Sequence, residues 1–224
     1  MERKRRDEHS VQHCEMCIAD IGIQKMFQLP LDKLIIKAEQ VNKNRSFQIP
    51  KSRKYIYGDI PVMNGKYHCL SIQKHPQRTE KAILFLFGGG MMIGPDRGDV
   101  KCAGEYGTDC HMDVWFPYYP LCIRNSIVET YKMVLDTYRN MVAVYGAENI
   151  TLLGFSSGAA LAIGVCLYNK ALDCPLPMPR SIVACSPGCC PDSHAQLNKM
   201  KALNAKDIMV DVAFMENKLS IPPG

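Results

Sequence analysis

The segment that most limits what this chain can fold into is Gly154-Phe155-Ser156-Ser157-Gly158. It lies between an apolar run at 150 to 153 that reads as a strand and a run at 157 to 168 that reads as a helix. A serine flanked by glycine two residues before and two residues after, at a strand-to-helix junction, fits a sharp and strained turn that projects a hydroxyl. A Cβ at either glycine would collide with the neighbouring strand or helix. Ala159 and Ala160 let the following helix pack close. By chance the composition gives about 0.06 such patterns in a chain of this length, so the strand-turn-helix context adds the weight. An ordinary βα turn is the competing reading.

The flanking chain supplies the rest of an α/β pattern. Residues 55 to 62 and 67 to 73 are rich in β-branched and aromatic types and are joined through Asn64-Gly65, a strong hairpin signal. Ala82-Ile83-Leu84-Phe85-Leu86-Phe87 is continuous apolar sequence of strand length, as in a strand buried on both faces, and it runs into Gly88-Gly89-Gly90. Residues 113 to 116 read as a further strand. Ser126 and Glu129 have the spacing of a capping box, which predicts a helix with Ile127, Tyr131, Val134, Leu135, Tyr138, Met141, Val142 and Tyr145 on one face, ended by Gly146. Ser181-Ile182-Val183-Ala184-Cys185 is the last strand signal. Strands and helices thus alternate at crossover spacing, which predicts a mostly parallel sheet covered by helices. Helical pieces are expected at 21 to 27 and 31 to 41. Two more are expected near the end, one through Leu197, Met200 and Leu203, the other through Ile208, Met209, Val212 and Met215 behind Asp207.

A triple glycine after a central strand offers backbone N–H donors without side-chain obstruction, and the Ser157 N–H at a helix start would add a third. Phe87-Gly88-Gly89-Gly90, then Pro117-Tyr118-Tyr119-Pro120-Leu121, then the run GFSSGAALA at 154 to 162, resemble in order and spacing the HGGG, DYRLAP-type and GDSAGGNLA segments of the hormone-sensitive-lipase-like carboxylesterases and lipases. The resemblance covers about residues 80 to 190. It implies an α/β-hydrolase three-layer sandwich, with a helical N-terminal cap at 1–54 over a core at 55–224, acting on an acyl ester without a cofactor. Carried over residue by residue, it makes Ser156 the catalytic nucleophile and assigns the oxyanion hole to the amides of Gly89, Gly90 and Ser157.

Two departures accompany it. Phe87 stands where the family has a histidine that braces the glycine loop. The family's triad runs serine, acid, histidine, with the last two after later strands, and only 68 residues follow Ser156. In that stretch the acids are Asp173, Asp192, Asp207, Asp211 and Glu216, none behind a strand signal except Asp192, which resembles a structural turn residue. His194 is the sole histidine and reads as a polar residue at a helix start rather than as the base. The expectation is therefore a hydrolase whose sheet lacks its last strands and whose acid and base lie beyond Gly224. The alternative is a non-catalytic relative serving as a binding or vestigial module.

Composition narrows the remaining classes. Residues 1 to 54 hold 12 Lys and Arg against 7 Asp and Glu, while the rest hold 15 of each, so the net charge of +5 belongs to the N-terminal segment. Its cluster Arg3-Lys4-Arg5-Arg6 lacks the aromatic interleaving of a nucleic-acid surface, and Asp7, Glu8 and Glu15 interrupt any signal-like apolar run. No nucleic-acid partner and a cytoplasmic location are expected, with the 11 scattered cysteines as reduced thiols. The 19 uncharged residues 150 to 168 carry Gly154 and Gly158 at membrane-helix spacing, yet a strand, turn and helix account for them. Cys14 and Cys17 have no second ligand pair, so no metal is expected. Ile93 and Pro95 stand where phosphate-cradling motifs require glycine and lysine.

Overall fold

The structure is a computed structural model, and it describes Met26, residues 29–188 and residues 193–203. The described residues fall into two compact units, one containing residues up to Ala38 together with 193–203, the other running from Glu39 to Gly188. Helix α1 (Leu31–Asn42) begins in the first unit and ends in the second, with Leu34 and Ala38 buried. The first unit also holds a helix of ten residues, His194–Leu203, with no buried residue. The expected helical pieces at 21 to 27 (apart from Met26) and at 208 to 215 lie outside the described residues. So do Arg3 to Arg6, Cys14, Cys17, Asp192, Asp207, Asp211 and Glu216.

The second unit is built on six strands in the order β1-β2-β4-β3-β5-β6. They are β1 (Ile56–Val62), β2 (Tyr67–Gln73), β3 (Ala82–Leu86), β4 (Asp113–Pro117), β5 (Ile150–Phe155) and β6 (Ser181–Cys185). β1 and β2 form the expected antiparallel hairpin, and β2 pairs antiparallel with β4. The pairs β4–β3, β3–β5 and β5–β6 are parallel. The hairpin turn is longer than Asn64-Gly65 alone. Met63 (φ 51°), Asn64 (φ 57°) and Gly65 (φ 82°) are all left-handed, and the Met63 N–H is held by the Asp136 carboxylate at 2.9 Å.

Every residue of β3 and β4 is buried, as the continuous apolar pattern of β3 requires of a strand covered on both faces. Helix α2 (Arg97–Cys110) packs on β2, β3 and β4. Helix α3 (Ile127–Tyr145) packs on α4 (Ser157–Lys170), and α4 packs on β5 and β6. Helix α3 buries Val134, Leu135, Tyr138, Met141 and Tyr145 from its expected face, while Ile127 is left 38% exposed in the first turn.

Two local expectations need correction. At the start of α3 the Ser126 hydroxyl accepts from the Glu129 N–H, but the Glu129 carboxylate does not return to Ser126. It accepts instead from Lys66 Nζ and from the Tyr67 hydroxyl at 2.8 Å, because two donors of the hairpin offer more than one amide. The reciprocal capping box lies elsewhere, at Asp96 and Asp99, and opens α2. That helix has no sequence expectation because Gly98, Gly104 and Gly107 lower its propensity by roughly 1 kcal/mol each. Two of those glycines are required by packing: a Cβ at Gly104 would sit 2.8 Å from Tyr55 Cζ, and one at Gly107 would sit 2.6 Å from Val114 Cγ2.

Strand β6 is the last strand among the described residues. Ile182 and Val183 remain 38% and 44% exposed on it, unlike the buried residues of β3. Cys69, Cys102, Cys110, Cys166, Cys174 and Cys185 carry free thiols. No helix among the described residues is long and apolar enough to cross a membrane, and 150 to 168 form β5, a turn and α4 as expected.

Candidate functional site

At the C-terminal end of β5 the chain reverses within one residue. Ser156 has φ 51° and ψ −119° and leads directly into α4, a conformation that costs a non-glycine residue about 1–3 kcal/mol and persists only where the surroundings hold it. They hold it here at both peptide groups. The Ser156 N–H donates to the Cys185 carbonyl at 2.9 Å, and its carbonyl accepts from Ala159, Ala160 and Gly188 at 3.0, 3.2 and 3.2 Å. Ser156 itself is exposed.

The flanking glycines are required by backbone approach. A Cβ at Gly154 would lie 2.3 Å from the Gly158 carbonyl oxygen, and one at Gly158 would lie 2.2 Å from the carbonyl oxygens of both Leu86 and Phe87. The end of β3 therefore abuts the first turn of α4. This contact brings the triple glycine to the serine: a Cβ on Gly88 would lie 3.5 Å from Ser156 Cβ. Gly89 (φ 102°), Gly90 (φ 65°) and Met91 (φ 61°) follow in left-handed conformations. The Gly89 carbonyl closes a turn by accepting from Met92 and Ile93 at 3.0 and 2.9 Å. The amides of Gly89, Gly90 and Ser157 donate to no acceptor among the described residues, and that of Ser157 lies in the first turn of α4.

Two supports of this loop have no counterpart in the sequence reading. The Ser157 hydroxyl, on a residue 3% exposed, accepts from the Met91 N–H at 3.2 Å. Phe87, in place of the bracing histidine, stacks face to face on Tyr119 with ring centroids 4.1 Å apart and planes at 3°. The Tyr119 hydroxyl donates to the Phe87 carbonyl at 2.6 Å. Burial holds that phenol well above its ordinary pKa, so it remains a donor. A tyrosine thus braces the strand end through its hydroxyl and its ring together. The signal was present in Pro117-Tyr118-Tyr119-Pro120-Leu121, but a stacked partner 32 residues away has no sequence signature.

No histidine of the Glu39–Gly188 unit reaches Ser156. His75 follows β2 and His111 caps the C-terminus of α2, both at the opposite end of the sheet from the serine. His68 is at the correct end, level with Tyr118, and is paired with the Asp59 carboxylate at 2.9 Å. It is also stacked on Phe47, with centroids 4.5 Å apart. Three inter-strand steps of about 4.8 Å separate β2 from β5, so this His–Asp pair lies roughly 14 Å away across the sheet. Asp173 lies in the connection that follows α4 and precedes β6, again toward the opposite end. His194 opens the helix of the other unit and is exposed.

The comparisons agree with this architecture. A protein from Staphylococcus aureus assigned as an esterase superposes with a TM-score of 0.69 at 19% identity, over 84% of this chain and 62% of its own. An esterase from the bacterial hormone-sensitive lipase family gives 0.68 at 20% identity, over 92% and 69%. An esterase/lipase from an uncultured bacterium gives 0.58 at 19%, over 81% and 63%. At these identities the likeness is one of fold, and the chain spans 62–69% of the length of these structures. No curated protein matches it. Residues 83–220 match the family model for the alpha/beta hydrolase fold. That span includes the glycine loop, the strained serine turn and the parallel strands between them, and it exceeds half of the chain, which therefore belongs to the alpha/beta hydrolase fold family.

Proposed function

We propose that the chain is a serine hydrolase of carboxylic esters, with Ser156 as the acyl nucleophile and the amides of Gly89, Gly90 and Ser157 as its oxyanion hole. The observation that carries the proposal is the conformation of Ser156. An exposed serine at φ 51°, beside a glycine loop that reaches it at Gly88, is strain retained where the hydroxyl has to be presented. The Ser156 hydroxyl attacks the ester carbonyl carbon, the carbonyl oxygen gains the electron pair, and the three amides donate to it. A general base takes the Ser156 proton as the bond forms and returns it to the leaving oxygen, so that collapse breaks the ester C–O bond, expels the alcohol and leaves an acyl-serine for water to hydrolyse. A single amide of such a hole contributes on the order of 10²–10³ in rate. The general base and the acid behind it come from outside the described residues of the Glu39–Gly188 unit.

That no described histidine of the Glu39–Gly188 unit lies beside Ser156 favours a second reading, a hydrolase-fold protein that binds rather than turns over an acyl group. One experiment separates the two. The folded protein is treated with a fluorophosphonate probe, the modified residue is mapped by mass spectrometry, and ester turnover is measured alongside. Labelling at Ser156, abolished in Ser156→Ala together with turnover, supports the hydrolase. A folded protein with neither labelling nor turnover leaves the binding reading.

A further inference from the structure

Chain segments that meet the glycine loop from a distance hold it through specific side chains. After α1 the backbone turns back on itself, with the Arg45 N–H donating to the Asn42 carbonyl at 3.0 Å, which sets both side chains on one short bend. The Asn42 side-chain amide lies against the segment that follows the glycines. Its Nδ2 donates to the Met92 carbonyl at 2.8 Å, and its Oδ1 accepts from the Gly94 N–H at 2.8 Å. Arg45 Nη1 donates to the Gly94 carbonyl at 2.7 Å. Arg45 Nη2 pairs with the Asp96 carboxylate at 3.2 Å, and that arginine side chain is 21% exposed.

We infer that Asn42 and Arg45 are positioning residues for the reaction, a clamp that sets the direction of the Gly89 and Gly90 amides; the inference rests on the hydrolase reading of Ser156. Glycine gives the loop its left-handed path but also the largest freedom to leave it. Amides aimed at a developing oxyanion contribute only when they are held in place beforehand. The turn closed by the Gly89 carbonyl transmits the position of Met92 and Ile93 to the glycines, and Asn42 fixes the far end of that turn. A carboxamide offers one donor and one acceptor side by side, matching a carbonyl at 92 and an N–H at 94 as a neighbouring strand would. Arg45 then ties Gly94 to Asp96, the N-cap of α2. Neither residue touches the reacting atoms.

The test uses the full chain and Asn42→Ala, Asn42→Asp and Arg45→Lys. Asn42→Asp keeps the volume and the acceptor for Gly94 but sets an oxygen against the Met92 carbonyl. Amide hydrogen exchange is followed in peptides covering 88 to 95 and 150 to 155, and Ser156 phosphonylation is followed against probe concentration. Both Asn42 variants are expected to exchange at least about 10-fold faster at 91 to 94, with 150 to 155 and the urea midpoint nearly unchanged. They are also expected to phosphonylate about 10- to 100-fold more slowly, the loss falling in the maximal rate rather than in the half-saturating concentration. Arg45→Lys should show the same direction more weakly. Unchanged exchange at 91 to 94, or faster exchange with labelling at the wild-type rate, overturns the clamp while leaving the hydrolase standing. A folded wild type that is not labelled removes the hydrolase reading and this role with it.

Discussion

Gly158→Ala tests how closely the glycine loop and the serine turn are built against each other. The added Cβ would sit 2.2 Å from two backbone oxygens, those of Leu86 and Phe87, and 2.7 Å from the Leu86 carbonyl carbon. An unstrained carbon–oxygen contact is about 3.3 Å, so roughly 1 Å of separation must open between β3 and α4. Neither partner is the end of a flexible side chain: Leu86 and Phe87 are 0% and 1% exposed, and the strand end is tied by Tyr119. Against this stands the intrinsic helix preference of alanine over glycine, worth about 1 kcal/mol. Overpacking a rigid contact costs about 1–3 kcal/mol and occasionally more. With two rigid backbone oxygens at 2.2 Å the cost falls at the upper end, about 2–3 kcal/mol, so the clash wins with a net loss of about 1–2 kcal/mol in urea unfolding. The functional effect should exceed the thermodynamic one, because a displacement of about 1 Å at a reacting centre can cost on the order of 100-fold in rate; Ser156 phosphonylation should fall by about that factor. Gly94→Ala serves as the control, since its Cβ would meet nothing closer than 3.6 Å, and its stability should lie within about 0.5 kcal/mol of wild type. A Gly158→Ala protein with the wild-type urea midpoint and labelling rate would refute the claim that this backbone contact sets the site.

Three further outcomes are expected. Ser156→Gly removes the side chain from a left-handed position, so the protein should gain about 1 kcal/mol in urea unfolding while losing all phosphonylation; a destabilised variant would contradict stored strain at the turn. Tyr119→Phe leaves the stacked ring and strips the donor from the buried Phe87 carbonyl, which should cost about 1–3 kcal/mol and loosen amide exchange at 88 to 90; equal stability would mean the hydroxyl does not brace the loop. Burial pushes the Asp99 carboxyl from 3.8 up to about 6, the charge of Asp96 adds to this, and the Asp96 N–H and Arg45 oppose it. Because the folded value lies above the unfolded one, the protonated form favours folding below pH 4, and that advantage is lost as pH rises through about 6. Relative to Asp99→Asn, wild type should lose about 2–3 kcal/mol between pH 4 and pH 7, and parallel urea midpoints across that range would dismiss the upward shift of this half-buried carboxyl.

What was legible in the sequence was local. The strand, serine turn and helix from 150 to 168 could be read because Gly154, Ser156 and Gly158 fall together at a strand-to-helix junction, and the all-apolar run of β3 announces burial on both faces; that Gly158 answers to the end of β3, some 70 residues away, could not. Helix α2 was not legible. Its glycines look like helix breakers until Tyr55 and Val114, brought in by other strands, turn them into close-packing positions. Glu129 was misread for the same reason, since the hairpin that captures its carboxylate lies more than 60 residues away. The substitution of Phe87 read as the loss of a brace. In the fold it is an exchange of one brace for another, because Tyr119 approaches through both its ring and its hydroxyl.

This division bears on how the site itself is specified. The serine turn is fixed by backbone sterics: Gly154 abuts the Gly158 carbonyl, Gly158 abuts the end of β3, and Cys185 of β6 and Gly188 just beyond it secure the peptide groups of Ser156. The amides that would serve it have the opposite character. Gly89 and Gly90 impose no direction of their own, and direction reaches them from Ser157 behind, Tyr119 beside and Asn42 with Arg45 from some 50 residues upstream. A pattern search on Gly154 to Gly158 therefore finds where attack would occur, whereas the capacity to stabilise what attack produces depends also on three side chains outside that pattern, those of Tyr119, Asn42 and Arg45. Two homologous chains with the same serine turn could thus differ widely in rate through positions such as 42 and 119, with every residue of the motif intact.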